Sequence, residues 1–246
     1  MFFHLNTKLL FPMKKVVFAF ATLLAASAAV SSAQAQGVRL GFRAGANYSN
    51  LAGNIQNEAT YNNKIGFLGG AVLNADLSGD GFLSLQPEVL FSQKGFENKP
   101  TEYKRTLPLL GTTTERREGK VNYNYLDVPV LLKLNADGFV FEAGPQFSYL
   151  LSANNETKYS RTTPDGRTTT EEATNKNDVS GLNRAELGYA AGIGYQAENG
   201  LGLNLRYTGA FSDFVKSDNG TYFNGDLQNA RQSAFQLSLG YLIPSK

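Results

Sequence analysis

The stretch Tyr125–Ser152 limits what this chain can fold into more than any other. It reads YLDVPVLLKL, a short NADG break, then FVFEAGPQFSYLLS. In the first arm Leu126, Val128, Val130, Leu132 and Leu134 recur at every second position, with Asp127, Pro129, Leu131 and Lys133 between them. In the second arm Phe139, Phe141, Ala143, Pro145, Phe147, Tyr149 and Leu151 alternate with Glu142, Gly144, Gln146 and Ser148. A period of two means strand, because successive side chains point to opposite faces of the pleat. Asn135–Gly138 carries the Asp and Gly that a tight turn needs. Both arms exceed the roughly 5–6 residues of an ordinary strand. Strands of about 9–11 residues or more with one continuous apolar face suit a crossing of hydrocarbon.

The same alternation recurs in about eight runs along the chain. Val38–Ser49 sets Leu40, Phe42 and Tyr48 against Arg39, Arg43 and Asn47, and Lys64–Leu77 sets Ile65, Phe67 and Leu73 outward. Phe82–Lys94 places Leu83, Leu85, Val89 and Phe91 opposite Ser84, Gln86, Glu88 and Ser92. Asn183–Gln196, the run from Leu201 to Phe211 and the last run around Phe235–Tyr241 repeat the pattern. Long polar connections near 50–63, 95–120, 153–181 and 212–232 alternate with short turns at Ser78–Gly81, Asn135–Gly138 and Glu198–Gly200. These features predict an all-β chain: a closed antiparallel up-and-down transmembrane β-barrel of about eight strands over residues 36–246, its long loops extracellular. Phe82, Phe139, Tyr195 and Tyr241 fall beside the short turns; Tyr48, Phe91, Tyr123, Tyr149 and Phe211 fall near the long loops, as two aromatic girdles would. A soluble β-sandwich needs neither such long strands nor two belts, and a lipocalin-type barrel points its apolar faces inward.

Residues 1–35 read as a signal peptide, with Met13 a plausible true start: Met13-Lys14-Lys15 is basic, Val16–Val30 apolar, and Ala33-Gln34-Ala35 a small-x-small cleavage site. The apolar run falls short of the ~20 residues of a membrane helix. No cysteine follows it, so no processed lipid anchor is expected. The chain holds 23 Lys and Arg against 21 Asp and Glu; the leader takes Lys8, Lys14 and Lys15 and no acid, leaving 20 against 21, a net of −1. No basic stripe remains for nucleic acid. The one histidine, His4, lies in the leader, and there is no cysteine at all, so an exported chain stands without disulfides. A mean hydropathy of −0.26 opposes a helical membrane protein but not a barrel, in which only alternate residues meet lipid.

Few motifs point to chemistry. Gly188, Gly192 and Gly194 share a strand face with no helix after them, so they read as small lumen-facing residues and not as a dinucleotide loop. Ser217-Asp218-Asn219-Gly220 lacks calcium-loop spacing. Lys104, Arg105, Arg116, Arg117 and Arg167 would suit lipopolysaccharide phosphates, but Glu102, Glu115, Glu118, Glu171 and Glu172 interleave with them, giving a mixed wet surface. Lipase, acyltransferase and protease chemistries generally use a histidine to activate a nucleophile or water, and none lies beyond the leader. No catalytic, cofactor or metal residues are therefore expected.

The lumen is the candidate site. Strand parity points Arg39, Arg43, Glu88, Lys133, Glu142, Arg184, Glu186 and Arg206 inward, where a Lys or Arg avoids the roughly 2–4 kcal/mol penalty of facing lipid near the midplane. Both signs are present, which favours a paired internal network over a polar pathway in a lumen just wide enough for side chains. Lys133 and Glu142 are expected to pair across the Asn135–Gly138 hairpin. Residues 158–163 and 167–171, flanking Pro164-Asp165-Gly166, predict a polar hairpin above the membrane.

The phrases LGFRAGANYSNL, QPEVLFSQKG, YLDVPVLLKL, FEAGPQFSYLLS, ELGYAAGIGY and FQLSLGYLI, in this order over nearly the whole mature chain, resemble the PorT-like outer-membrane β-barrel family. The resemblance implies an integral outer-membrane barrel of a Gram-negative envelope of the Bacteroidetes type, set among lipid and lipopolysaccharide. It also implies an alternative role as an accessory of protein secretion or small-solute transport, with other envelope or secretion proteins as partners. Fold carries over more safely than role. Ligand, substrate and oligomeric state are left open by the sequence.

One outcome is already testable. Cleavage after Ala35 should give envelope-extracted protein the intact mass of a chain starting at Gln36; a product retaining Val16–Val30 refutes the leader.

Overall fold

The structure, a computed structural model, describes residues 37–55, 61–107, 111–176, 179–216, 227 and 229–244. The leader and its cleavage site lie outside these residues, as does the 217–220 stretch. Among the described residues nine strands follow one another: β1 (Val38–Asn54), β2 (Tyr61–Asp76), β3 (Leu83–Leu107), β4 (Gly111–Ala136), β5 (Phe139–Thr162), β6 (Thr168–Lys176), β7 (Ala185–Gln196), β8 (Leu201–Ala210) and β9 (Asn229–Leu242). All pair antiparallel. β5 bonds both β4 and β7, and β9 returns to β1, so β1, β2, β3, β4, β5, β7, β8 and β9 close a ring of eight. β6 pairs with the far end of β5, from Asn154↔Lys176 to Thr162↔Thr168, and stands outside the ring.

Alternation decides which way each strand faces. Leu40, Phe42, Ile65, Phe67, Leu132, Leu134, Phe141, Leu187, Ile193, Leu203, Leu205, Leu237 and Leu239 are exposed on the outside, where a membrane replaces water. Their neighbours Arg43, Asn74, Glu88, Lys133, Glu142, Asn204 and Arg206 are buried in the lumen. This is the inverse of a soluble barrel. The Asn135–Gly138 connection is a two-residue hairpin: Asp137 and Gly138 both have positive φ, 51° and 92°, the signature of the primed turns that match strand twist. Asn135 Oδ1 accepts from the Gly138 amide at 3.0 Å.

The long connections differ from the sequence reading. Residues 95–107 and 111–120, expected as loop, are paired strand instead. β3 and β4 remain paired from Glu97↔Lys120 to Leu107↔Gly111, with one register shift between Asn98 and Thr101. β5 continues beside β4 up to Thr162 after a bulge opposite Asn124 and Tyr125. A strand of 25 residues extends roughly 80 Å at about 3.3 Å per residue, far beyond a ~30 Å hydrocarbon core. A four-stranded sheet, β3-β4-β5-β6, therefore stands clear of the membrane on the side of the long connections, the end called outer below. Water wets both of its faces, so its sequence carries no apolar period to read. Cross-strand pairs align it instead: Lys120 with Glu156 at 2.9 Å, Arg116 with Glu102 at 3.5 Å, and Lys158 with Glu172 at 3.5 Å. The Glu156 carboxylate accepts from Lys120 and holds its ammonium above the usual lysine range. At the β5–β6 turn Thr163 donates to Asp165, and Gly166 has φ 83°.

One girdle residue is misplaced by the sequence reading. Tyr123 is fully buried and points into the barrel. With Leu51, Phe96, Val121, Tyr125, Leu150 and Ala153 it builds an apolar core in the outer half of the lumen. Leu182, Phe214 and Val215 descend from the outer connections to complete it. Phe96–Tyr123 and Tyr123–Phe214 ring centroids lie 6.2 and 5.5 Å apart. A bridge between Leu182 and Val215, and hydrogen bonds from the Asn183 amide to Phe214 O and from the Phe214 amide to Ala230 O, tie the two descending segments together and to β9.

Phe214→Ala should remove the centre of this cap. It is expected to lower stability by about 3–5 kcal/mol, the usual range for a buried Phe, in urea unfolding from lipid vesicles, while the barrel still assembles. Unchanged stability would show that the cap does not pack as described.

Candidate functional site

Below the apolar cap, four charged side chains meet across the lumen. They come from alternate strands of the ring: Arg43 on β1, Glu88 on β3, Glu142 on β5 and Arg206 on β8. Alternate strands place side chains at one height in a narrow barrel, so four residues fill one layer. Arg206 Nη1 and Nη2 donate to the two oxygens of Glu88 at 2.9 and 3.0 Å, a bidentate fork. Its Nε donates to Glu142 Oε1 at 2.8 Å. Arg43 Nη2 lies 3.0 Å from Glu88 Oε1 and 3.6 Å from Glu142 Oε2, and its Nη1 donates to Ser238 Oγ at 2.9 Å. Gln86 Nε2 adds a 2.7 Å bond to Glu88. The layer is neutral, two cations against two anions, and Arg206 is 1% exposed.

Glycine makes the layer possible. Gly192 on β7 stands in register between Glu142 on β5 and Arg206 on β8. A Cβ there would come within 3.2 Å of Arg206 Cβ and 2.8 Å of Leu205 O. Its absence lets the Arg206 side chain cross a whole strand to reach Glu142. Gly192 of the β7 glycine run thus serves close packing around a long side chain.

The remaining sequence candidates divide. Lys133 and Glu142 face each other in register and both point inward, but the expected ion pair is replaced. Glu142 gives its carboxylate to Arg206 and Arg43, whose forked guanidinium groups suit it better. Lys133 Nζ donates instead to Gln196 Oε1 at 3.2 Å and Gln86 Oε1 at 3.4 Å. Arg39, half-buried nearer the short turns, donates to Asn74 at 3.3 Å. Glu186 belongs to a second cluster, where it accepts from the Tyr125 hydroxyl. Arg184 joins neither: it precedes β7, is only half-buried, and contributes its backbone carbonyl to the Leu150 amide at 2.7 Å. Arg184 lies before the first residue of the strand, where parity no longer sets direction.

Sequence reasoning missed the partner ion pair above the quartet. Lys94 and Asp127, both buried, lie 2.9 Å apart, and Lys94 Nζ sits 4.9 Å from the Tyr125 ring centroid. The signal was present, since Asp127 shares the inward parity of Lys133. Among the described residues no group of three or more His, Cys, Asp and Glu is arranged to hold a metal ion. Chemically the arrangement fills the lumen: an ionic layer, a second ion pair, then an apolar cap.

Removing one member of a buried, mutually paired set strands the others. Arg206→Met should therefore destabilise the barrel by about 3–5 kcal/mol. Arg206→Met combined with Glu88→Met leaves Arg43 and Glu142 as a balanced pair, and should lose less than the two single changes added. Additive losses in unfolding from vesicles would show that the four do not act together.

The family model agrees on architecture. Residues 32–216 match the family model described as outer membrane protein beta-barrel domain. No curated protein matches the chain. Among solved structures, the chain is similar to Ail, the attachment invasion locus protein of Yersinia pestis, in a complex with the heparin analogue sucrose octasulfate: 11% identity and TM-score 0.40 over 85% of this chain and 100% of that one. Neisserial surface protein A shows 10% identity and TM-score 0.36 over 84% and 99% of the two chains. The translocator domain of the autotransporter NalP from Neisseria meningitidis shows 12% and 0.26 over 92% and 97%. With its eight-stranded ring, its outward apolar face and three quarters of its length matched by the family model, the chain belongs to the outer membrane protein β-barrel domain family.

Proposed function

We propose that this protein is a closed outer-membrane barrel that acts as a structural or interaction protein through its outer sheet and connections, without enzymatic chemistry or a cofactor. One observation carries the reading: the lumen is filled at two heights, by the Arg43–Glu88–Glu142–Arg206 layer and by the cap around Tyr123 and Phe214. A filled lumen leaves the outer surface as the place for contact. There β3 to β6 present alternating Lys, Arg, Glu, Thr and Asn side chains at the level of lipopolysaccharide sugars and phosphates, the surroundings of any such barrel. Partners of this surface are the lipopolysaccharide itself and other envelope proteins.

The resemblance to the PorT-like family supplies a second reading, an accessory of secretion or small-solute transport. Transport through this chain would require both the ionic layer and the cap to open. Secretion would require only a partner, and co-purification in mild detergent separates a lone barrel from a secretion component.

The purified barrel should show no steady open conductance in planar bilayers. Replacing residues 158–172 by a short turn should leave assembly and heat-modifiable gel mobility intact, because β5 keeps its pairing with β4 and β7 below that level, while weakening cell-surface contacts. A large, stable conductance of the intact protein would move transport to first place.

A further inference from the structure

The lipid-facing surface is not uniformly convex. In one row across the wall Leu132, Ala143, Ala191, Tyr207 and Phe235 stand in register on β4, β5, β7, β8 and β9. The two alanines dip between larger neighbours, and Ile193 closes the lower side. The result is an apolar groove of about 580 Å³. A void of this kind in hydrocarbon forfeits dispersion contacts along its whole lining unless something fills it.

Its depth selects the leaflet. Ala143 is four residues above Phe139, and Tyr207 is six above Leu201. At about 3.3 Å per residue and a tilt of roughly 40°, the groove spans roughly 5–15 Å above the short-turn ends of the strands. That is the periplasmic half of a ~30 Å core. At its foot, Phe139 and Tyr195 make an edge-to-face pair with centroids 5.6 Å apart, an aromatic step at the interface. Below them the two adjoining turns, joined by the Gln196 amide bonding Gly138 O at 2.7 Å, expose Asp137 and Glu198. Among the described residues the short turns contain no lysine or arginine, and Asp80 adds a further acid. This rim repels anionic headgroups and attracts ammonium.

We propose that the Ala143–Ala191 groove seats one acyl chain of a periplasmic-leaflet phospholipid whose headgroup carries an ammonium group, held above Asp137 and Glu198. The chain fills the dip between Leu132 and Tyr207, and the aromatic step supports the glycerol region. The seat is independent of what the outer sheet binds.

The test uses the full barrel, reconstituted with equal phosphatidylethanolamine and phosphatidylglycerol and with lipopolysaccharide, then examined for retained lipid by native mass spectrometry. The wild type should retain phosphatidylethanolamine over phosphatidylglycerol by roughly fivefold, the factor of one charge contact near a membrane surface. Ala143→Leu with Ala191→Leu fills the groove with lipid-compatible side chains and should abolish retention. Asp137→Asn with Glu198→Gln should keep a bound chain but lose the headgroup preference. Because the chain contains no tryptophan, Leu134→Trp gives a second readout. Brominated-chain phosphatidylethanolamine should quench it more than Trp introduced at Leu73, on β2 outside the groove. Equal retention in the filled variant, equal quenching at both positions, preference for phosphatidylglycerol, or retained lipopolysaccharide in place of phospholipid would each overturn the proposal.

Discussion

Hydrocarbon offers the backbone no hydrogen-bond partners, and each unsatisfied amide or carbonyl there costs several kcal/mol. A sheet in a membrane must therefore have no edge. The pairing of β9 with β1, from Asn54↔Asn229 to Gly41↔Leu242, removes the last one. Once the ring closes, every second side chain is committed to lipid and the rest to a narrow lumen. The constraint relaxes above the membrane. There β6 joins one side of the sheet only, and β3 runs on beyond its last described pairing with β2 at Asn98. Edges that lipid would forbid are permitted in water.

Inside, the same geometry sets a packing problem. Eight strands leave room for side chains and little else, but those side chains are polar because the apolar ones have gone outward. Buried charge is tolerated only when it is matched and hydrogen-bonded. The solution uses alternate strands to bring two arginines and two glutamates to one level, with Gly192 giving Arg206 its path. Higher up, where the surrounding membrane ends, the parity that pointed polar residues inward now brings in Val121, Tyr123 and Tyr125. Segments 179–184 and 212–216 can fold down on them because they lie beyond the ring. The lumen thus changes from ionic to apolar along its axis, and closure comes from two unlike interactions in series.

These differences explain which parts could be read from sequence. Leu126–Leu134 and Phe139–Leu151 announce strand, face and turn because one face meets lipid, and the same holds for β7 to β9. The outer halves of β3 and β4 are hidden, since water on both sides imposes no period on residues 95–107 and 111–120, whereas the Pro164-Asp165-Gly166 turn makes the β5–β6 hairpin legible. Inward direction was legible for Arg43, Glu88, Glu142 and Arg206, but partnership was not. Parity fixes a side and says nothing of reach, so Lys133 was matched to its register neighbour while the arginines of more distant strands took Glu142. Arg184 failed because it lies outside a strand. Tyr123 failed because aromatic character near a loop suits an interface girdle and an internal cap equally well.

The division between lumen and outer sheet also bears on where contact chemistry can reside. In the lumen the charged side chains of the layer are bound to others that depend on them, so a substitution there disturbs a whole layer. In the outer sheet the ion pairs are exposed, and such pairs contribute about 0–1 kcal/mol each. Lys120–Glu156 or Lys158–Glu172 can be lost without threatening the ring below, because the strands beneath them are fixed by closure and by lipid. The sheet is therefore a rigid stem carrying an inexpensive surface: its direction is set by β3, β4 and β5 rooted in the wall, and its side chains are nearly free of structural duty. A recognition surface needs that combination, an orientation held by the fold and a chemistry the fold does not require.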